Sequence, residues 1–228
     1  YGYGRVRTPN MDALAGDSVL FRRAASHAPI TLPAHASILT GLYPMTHGLR
    51  NNGGFYAPDG LTTLAEVLRE DDYATGAFVS AFVMDSRFGL DQGFDVYDDD
   101  MLEGPAPTAQ NEYAERPADI TVGKALAWLA DHPLRAKAEE PFFLWAHLYD
   151  PHHPYEPPEP FATEYRERPY DGEIAFVDQQ IGRILQVLKA HGVYDDAMIV
   201  LTADHGEGLG DHGESEHSIF IYESTQWV

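Results

Sequence analysis

The chain has 228 residues, 44% apolar and 22% charged, enough to bury a sizeable core as one globular domain. Its formal net charge of -21 argues against nucleic acid or an anionic membrane as a partner. There is no cysteine, which excludes disulfides and cysteine-ligated zinc, and no apolar run reaches membrane-spanning length.

In chain order, Gly2 and Gly4 mark a loop up to Pro9, Asn10 to Ala15 reads as a short helix, and Ser18 to Ala25, around Val19-Leu20-Phe21, reads as a strand. The stretch from Pro29 to Gly41 follows. Pro33 suits the first turn of a helix, which the small residues from Ala34 to Thr40 continue. Thr31 then sits at the mouth of that helix, where backbone N–H groups and the helix dipole favour an anion. His35, four residues on, can turn back to the same point. The Thr31 hydroxyl is therefore either a simple cap or a nucleophile for phosphoryl or sulfuryl transfer.

Tyr43 to Gly54 is a glycine-rich loop with His47, Arg50, Asn51 and Asn52. Asn52 either offers two N–H donors to an ester oxygen or fills a turn of positive φ. Arg50 pairs with an anion or, more commonly, with a surface carboxylate. Leu61 to Glu70 has Leu61, Leu64, Ala65 and Leu68 on one helical face, and Tyr73 to Val79 follows as a strand, an α/β pairing. The acidic run Asp98-Asp99-Asp100 reads as a solvated loop rather than a cation site. Residues 101–117 read as a surface insertion, and Ala118 to His132 as a helix.

Pro141 to Tyr149 is a near-continuous apolar strand, suited to the centre of a parallel sheet. It leads into Asp150-Pro151-His152-His153-Pro154-Tyr155-Glu156-Pro157-Pro158, at the strand end where open α/β sheets place ligands. A histidine there can donate a hydrogen bond or a proton to a leaving oxygen. Tyr170 to His191 is the longest helix, with Ile174, Val177, Ile181, Ile184, Leu185 and Leu188 as its core stripe. Ala197 to Thr202 reads as another strand and ends in Ala203-Asp204-His205-Gly206-Glu207-Gly208. Asp204 and His205 supply a carboxylate and an imidazole, both fit for a divalent metal, with Glu207 expected beside the ligands or facing solvent rather than on the ion. His212 and His217 lie on the loop beyond, and the chain reaches Val228 in what reads as a further strand.

Several of these stretches carry a family resemblance. Thr31-Leu32-Pro33-Ala34-His35, closed by Thr40-Gly41, resembles the nucleophile motif of sulfatases in the alkaline phosphatase superfamily. Those enzymes read Cys or Ser, any residue, Pro, Ser, Arg, then a small-residue helix ending in Thr-Gly. Here Thr31 holds the nucleophile position, Ala34 replaces Ser and His35 replaces Arg. Thr8-Pro9-Asn10-Met11-Asp12-Ala13-Leu14-Ala15 is similar to the family's T-P-N-x-D-x-L-A, and Arg50 to Gly53 to its R-x-N-G loop. Pro151 to Pro158 resembles P-H-x-P-Y-x-P-P, and Asp204-His205-Gly206 the D-H-G or D-N-G metal motif. The likeness covers nearly the whole chain. It departs at the missing cysteine, which excludes a cysteine-derived formylglycine, and near Ser80-Ala81-Phe82, where typical sulfatases carry a Lys and a His.

The resemblance implies an α/β three-layer sandwich with a largely parallel central sheet, alkaline phosphatase-like. It implies a single catalytic domain over 1–228, incomplete at both ends, with the family's first strand and its metal-binding Asp upstream of Tyr1. The implied activity is metal-dependent hydrolysis of sulfate or phosphate/phosphonate esters through a covalent intermediate on Thr31. Thr31, His35 and His152 would be catalytic; Asn52, Arg50 and His217 would bind substrate; Asp204, His205 and Thr31 would hold one divalent ion (Mn, Zn, Ca or Mg), with room in the family for a second. The substrate would be a small-molecule, glycan or lipid ester. An unmodified Thr favours phosphoryl transfer, while the overall similarity lies with sulfatases. A phosphotransferase or mutase of the same superfamily, and a non-catalytic metal-binding module, are the alternatives. Compartment and oligomeric state do not follow from the sequence.

Overall fold

The structure, a computed structural model, describes residues 3–101, 115–132 and 141–228, so most of the expected insertion over 101–117 lies outside the described residues. The helices and strands in chain order are α1 (Pro9–Gly16), α2 (Thr31–Thr40), α3 (Pro44–His47), α4 (Leu64–Glu70), β1 (Ala74–Phe78), β2 (Val96–Asp98), α5 (Ala118–Asp131), β3 (Phe142–Ala146), α6 (Phe161–Glu164), α7 (Pro169–Ala190) and α8 (Glu223–Gln226). They divide between two units. One takes the chain up to Leu20, Gly76–Phe82 and Val96–Ala197; the other takes Phe21–Thr75, Val83–Asp95 and Met198–Val228.

The first unit is built on a sheet of order β2-β1-β3. β1 and β2 run parallel, with Gly76 opposite Val96, Ala77 opposite Tyr97 and Phe78 opposite Asp98. Ala77 and Phe78 are buried, as an apolar inner strand requires. α5 packs on β3 and on α7, and α1 and α6 pack on α7. The expected stripe of α7 holds at Val177, Ile181, Leu185 and Leu188, while Ile174 and Ile184 are half-buried. Unlike a simple amphipathic helix, α7 also buries Asp171, Glu173, Asp178 and Gln180. Asp178 explains the Thr8-Pro9-Asn10 stretch. Its carboxylate accepts the N–H of Asn10 at 3.1 Å and of Met11 at 2.8 Å, and the Asn10 Nδ2–H at 2.8 Å. It thus caps α1 from outside, where Thr8 makes no cap bond of its own.

The acidic run departs from expectation at Asp98. Arg116 is fully buried and pairs with the Asp98 carboxylate. It also donates to the carbonyls of Val79 at 2.8 Å and Asp100 at 3.2 Å. Burial works against the Asp98 carboxylate, but Arg116 and Lys124 override it and hold the carboxyl below its usual range. A buried guanidinium needs such a partner, which a sequence scan for acidic runs does not see.

In the second unit α2 starts at Thr31, earlier than Ala34, with Ile30 as its N-cap residue and Gly41 closing it in the left-handed region. Thr31 is therefore inside the helix, and no side-chain cap bond forms. α2 is buried along most of its length and packs on α3 and α4. α4 begins at Leu64 rather than Leu61 because Thr63 and Glu66 form a capping box: Glu66 N–H donates to Thr63 Oγ1 at 3.1 Å, and Thr63 N–H to Glu66 Oε2 at 2.8 Å.

Two expected strands are not formed. Residues 197–202 contain no strand, and Met198 and Val200 are 93% and 77% exposed. Residues 18–25 contribute only an isolated antiparallel bridge, Ala25 to Trp227, and the chain end forms α8. Apolar β-branched sequence is a property of side chains, whereas a strand exists only with a hydrogen-bonded neighbour, and none among the described residues pairs with 197–202. No helix among the described residues is long and apolar enough to cross a membrane.

Candidate active site

In the second unit two groups converge on one imidazole nitrogen. His205 Nε2 lies 3.4 Å from Thr31 Oγ1 and 3.3 Å from Asp204 Oδ2. The other ring nitrogen, Nδ1, faces the Gly206 carbonyl at 2.9 Å. A carbonyl only accepts, so Nδ1 carries the hydrogen and Nε2 presents its lone pair to Thr31 and Asp204. Burial lowers the His205 pKa first of all; the Asp204 charge pulls it up and His217 and His35 push it down. With its hydrogen on Nδ1, the ring has the tautomer that a metal ligand or a proton acceptor needs.

Other predicted residues gather around this point. His35 Nδ1 donates to the Thr31 carbonyl at 2.8 Å and lies 3.5 Å from Asp204 Oδ2. It therefore holds the backbone of Thr31 and faces the carboxylate. Asn52 Oδ1 accepts the Leu32 N–H at 2.9 Å, in the first turn of α2, which turns its amide oxygen toward that turn and keeps NH2 as its donor end. The His217 ring lies against His205 with centroids 4.2 Å apart and planes tilted by 37°, and its Nδ1 meets Glu207 at 3.2 Å. Burial opposes charge on His217, but Glu207 outweighs it and raises the pKa above the ordinary value. Arg50 is exposed, and His212 stacks on Tyr222 with the ring planes 11° apart.

Gly206 and Gly208 allow close backbone packing. A Cβ on Gly206 would lie 2.2 Å from the Ser224 carbonyl oxygen, and one on Gly208 2.5 Å from that of Glu216. Their bareness lets the loop after His205 lie directly against these backbones, with Gly208 N–H donating to Glu216 O at 2.7 Å.

The donor set fits a divalent cation in part. A carboxylate oxygen and an imidazole lone pair 3.3 Å apart repel unless a proton or a cation lies between them, and the Thr31 hydroxyl adds a third oxygen donor. Among the described residues, no group of three or more His, Cys, Asp and Glu side chains has metal-binding geometry.

His152 lies in the first unit. Its ring stacks on Tyr149, with centroids 4.2 Å apart, and Nδ1 donates to the His153 carbonyl at 2.7 Å. Nε2 then accepts from the Tyr149 hydroxyl at 3.2 Å. The backbone is held by Glu173, a residue of α7 that is 3% exposed. Glu173 Oε2 accepts the His152 N–H at 3.0 Å, and Oε1 the Glu156 N–H at 2.7 Å. Between Pro151 and Pro158 four prolines leave only four backbone N–H groups, and Glu173 takes two of them. Next to it, a Cβ on Gly172 would lie 2.8 Å from Pro157 Cγ. Burial, then the Asp150 charge, pushes the Glu173 carboxyl up to about 8, against the pull of the two N–H donors. Burial likewise raises Asp150 to about 6. Asp150 Oδ2 accepts the Ala118 N–H at 2.9 Å at the start of α5, and His153 is exposed.

Glu173 and Glu214, a buried carboxylate on the loop that carries His217, were invisible as site elements. The available signal for Glu173 was its place directly before the apolar run Ile174-Ala175-Phe176-Val177 of the longest helix, where an unpaired acid is costly. Glu214 sits in a run of Gly, Glu and His with no period to betray burial.

The sequence matches the family model described as Sulfatase over residues 1–224. The ulvan-active sulfatase of Formosa agariphila is 27% identical over 253 residues, covering 92% of this chain and 47% of that protein. N-acetylgalactosamine-6-sulfatase of Homo sapiens is 26% identical over 248 residues, with the same two coverages of 92% and 47%. The crystal structure of phosphonate monoester hydrolase of Agrobacterium radiobacter superposes with a TM-score of 0.79 at 23% identity, over 99% of this chain and 63% of that one. The α/β fold expected from the sequence is thus the one found. The chain spans about half the length of these curated relatives.

Proposed function

The chain belongs to the sulfatase family, and from that premise we propose that the protein is a metal-dependent hydrolase of sulfate or phosphate/phosphonate esters with Thr31 as its nucleophile. The observation that carries this reading is the convergence of the Thr31 hydroxyl and the Asp204 carboxylate on the lone pair of His205, at 3.4 and 3.3 Å. Asp204, His205 and the Thr31 hydroxyl would hold a divalent ion, which when bound supplies a Lewis acid that eases loss of the Thr31 proton and polarises an ester oxygen. Thr31 Oγ1 attacks the sulfur or phosphorus in line; that bond forms as the bond to the leaving oxygen breaks. Water then cleaves the ester on Thr31.

The remaining roles follow from what each side chain touches. His35 keeps the Thr31 carbonyl and Asp204 in place through Nδ1. Asn52 steadies the first turn of α2 with its oxygen and offers N–H donors from the other end. His217, its charge favoured by Glu207, is the cation for the transferred group's developing negative charge. His152 is assigned to the leaving oxygen on its P-H-x-P-Y-x-P-P motif alone. An unmodified Thr places phosphorus esters first among substrates, because a Thr sulfate has no formylglycine-like route for expelling sulfate. The ester-hydrolysing relatives bring sulfate and phosphonate esters into the same test.

That test uses the full-length, metal-loaded protein on paired aryl sulfate, phosphate monoester, phosphate diester and phosphonate monoester substrates. Thr31→Ala and His205→Ala should each lower turnover by about a thousandfold or more, with Thr31→Ala still retaining metal. Turnover that survives Thr31→Ala would remove Thr31 from the chemistry. Transfer to an added alcohol rather than to water would reassign the protein as a phosphotransferase.

A further inference from the structure

We propose that Glu214 is a positioning residue for the anion-binding imidazole of His217, acting through the backbone as Glu207 acts through the ring. This rests on the reading of His217 given above. Glu214 is 5% exposed. Its Oε1 accepts the Ile219 N–H at 2.8 Å, and both carboxylate oxygens lie 3.3 Å from the Phe220 N–H. These are the amides two and three residues beyond His217.

Ser218, between His217 and those amides, has φ +91°, a left-handed conformation that is strained for a residue with a Cβ. Such a turn persists only where its surroundings over-determine it, and the charge-assisted bonds to Ile219 and Phe220 are what fix it on the far side. On the near side the Glu214 and Glu216 carbonyls accept Gly210 N–H and Gly208 N–H, both at 2.7 Å. The loop is thereby pinned to the strip that follows His205. His217 is consequently held at three points: Glu207 on Nδ1 at 3.2 Å, His205 against its ring face, and the Glu214-anchored turn behind it. Without the third, the ring keeps its partner Glu207 but loses the fixed origin from which it meets an anion, so Glu214 acts on affinity for the tetrahedral group.

Calorimetric binding of inorganic phosphate and inorganic sulfate to the full-length, metal-loaded protein tests this, with melting temperature measured alongside. His217→Ala and Glu214→Ala should each weaken phosphate binding by about tenfold. The double variant should bind no more weakly than His217→Ala alone, since one effect works through the other. Glu214→Gln, which keeps an acceptor for Ile219 N–H, should restore part of the loss and also serves if Glu214→Ala does not fold. Unchanged affinity in both Glu214 variants, or losses that simply add to that of His217→Ala, would overturn the proposal while leaving His217 in its role. No loss in His217→Ala would instead overturn the reading of His217 and the proposal with it.

Discussion

His217 and His152 each depend on a glutamate whose side chain is covered, but in opposite ways. Glu207 meets the His217 ring, and its carboxylate outweighs burial and makes the imidazole more basic than usual. Among the described residues, Glu173 accepts hydrogen bonds from backbone N–H groups of the His152 loop, at 3.0 and 2.7 Å, with the Asp150 carboxyl as its electrostatic neighbour. Dipoles do not offset the burial of a carboxylate as a cation does, so Glu173 is driven up to about 8. A glutamate on a ring sets charge; a glutamate on a backbone sets position, and its own protonation becomes the weak link.

The largest test of this contrast is that already given for Thr31 and His205, where turnover should fall by about a thousandfold. Glu173→Gln, which touches the His152 loop only through its backbone, should lower turnover far less.

Next in size is the pH response of stability. The folded-state pKa of Glu173, about 8, lies above its ordinary 4.5, so between those values the folded chain binds a proton that the unfolded chain has released. The stability this contributes is full below about pH 4.5 and is lost as pH rises through about 8. Asp150, raised from 3.8 to about 6, adds the same sign over a lower window. Asp150 and Glu115 are the negative charges acting on Glu173, with the His152 and Glu156 amides opposing them. Denaturant titrations from pH 5 to 8.5 should show a decline of order 3 kcal/mol in the wild type that is much smaller in Glu173→Gln. Equal slopes in the two proteins would mean that Glu173 is ionised throughout.

Gly172→Ala should cost about 1–3 kcal/mol, because the new methyl group lies 2.8 Å from Pro157 Cγ, and thermal unfolding reads it directly. The smallest effect belongs to Glu207→Gln. It removes the carboxylate from His217 while leaving the Glu214 anchor, and should raise KM by about tenfold with little change in melting temperature. A collapse of stability instead would make Glu207 a core residue in the manner of Glu173, and the contrast would fail.

The motif residues were legible because each carries its chemistry in its identity. Thr31, Asp204 and His205, 174 residues apart at the extremes, were singled out by type and neighbours, and they meet. Helices with strong periods, α5 and α7, came out within a residue or two at their ends. Arg116, Glu173 and Glu214 were not legible, because burial of a charge depends on which distant backbone or carboxylate covers it. The failed strand over 197–202 has the same origin: its side chains suit a sheet, but pairing is a relation between segments.

By itself, then, the sequence determined the fold class and, through its motifs, the family, and it named the candidate site residues, since motif spacing and ionisable side chains are local properties. Only the tertiary structure decided that Thr31 lies inside its helix rather than capping it, that the lone pair of His205 faces both the hydroxyl and the carboxylate, and that buried glutamates hold the two histidine loops. Those facts rest on ångström-scale distances between residues far apart in the chain, where desolvation and hydrogen-bond direction choose the tautomer and the charge.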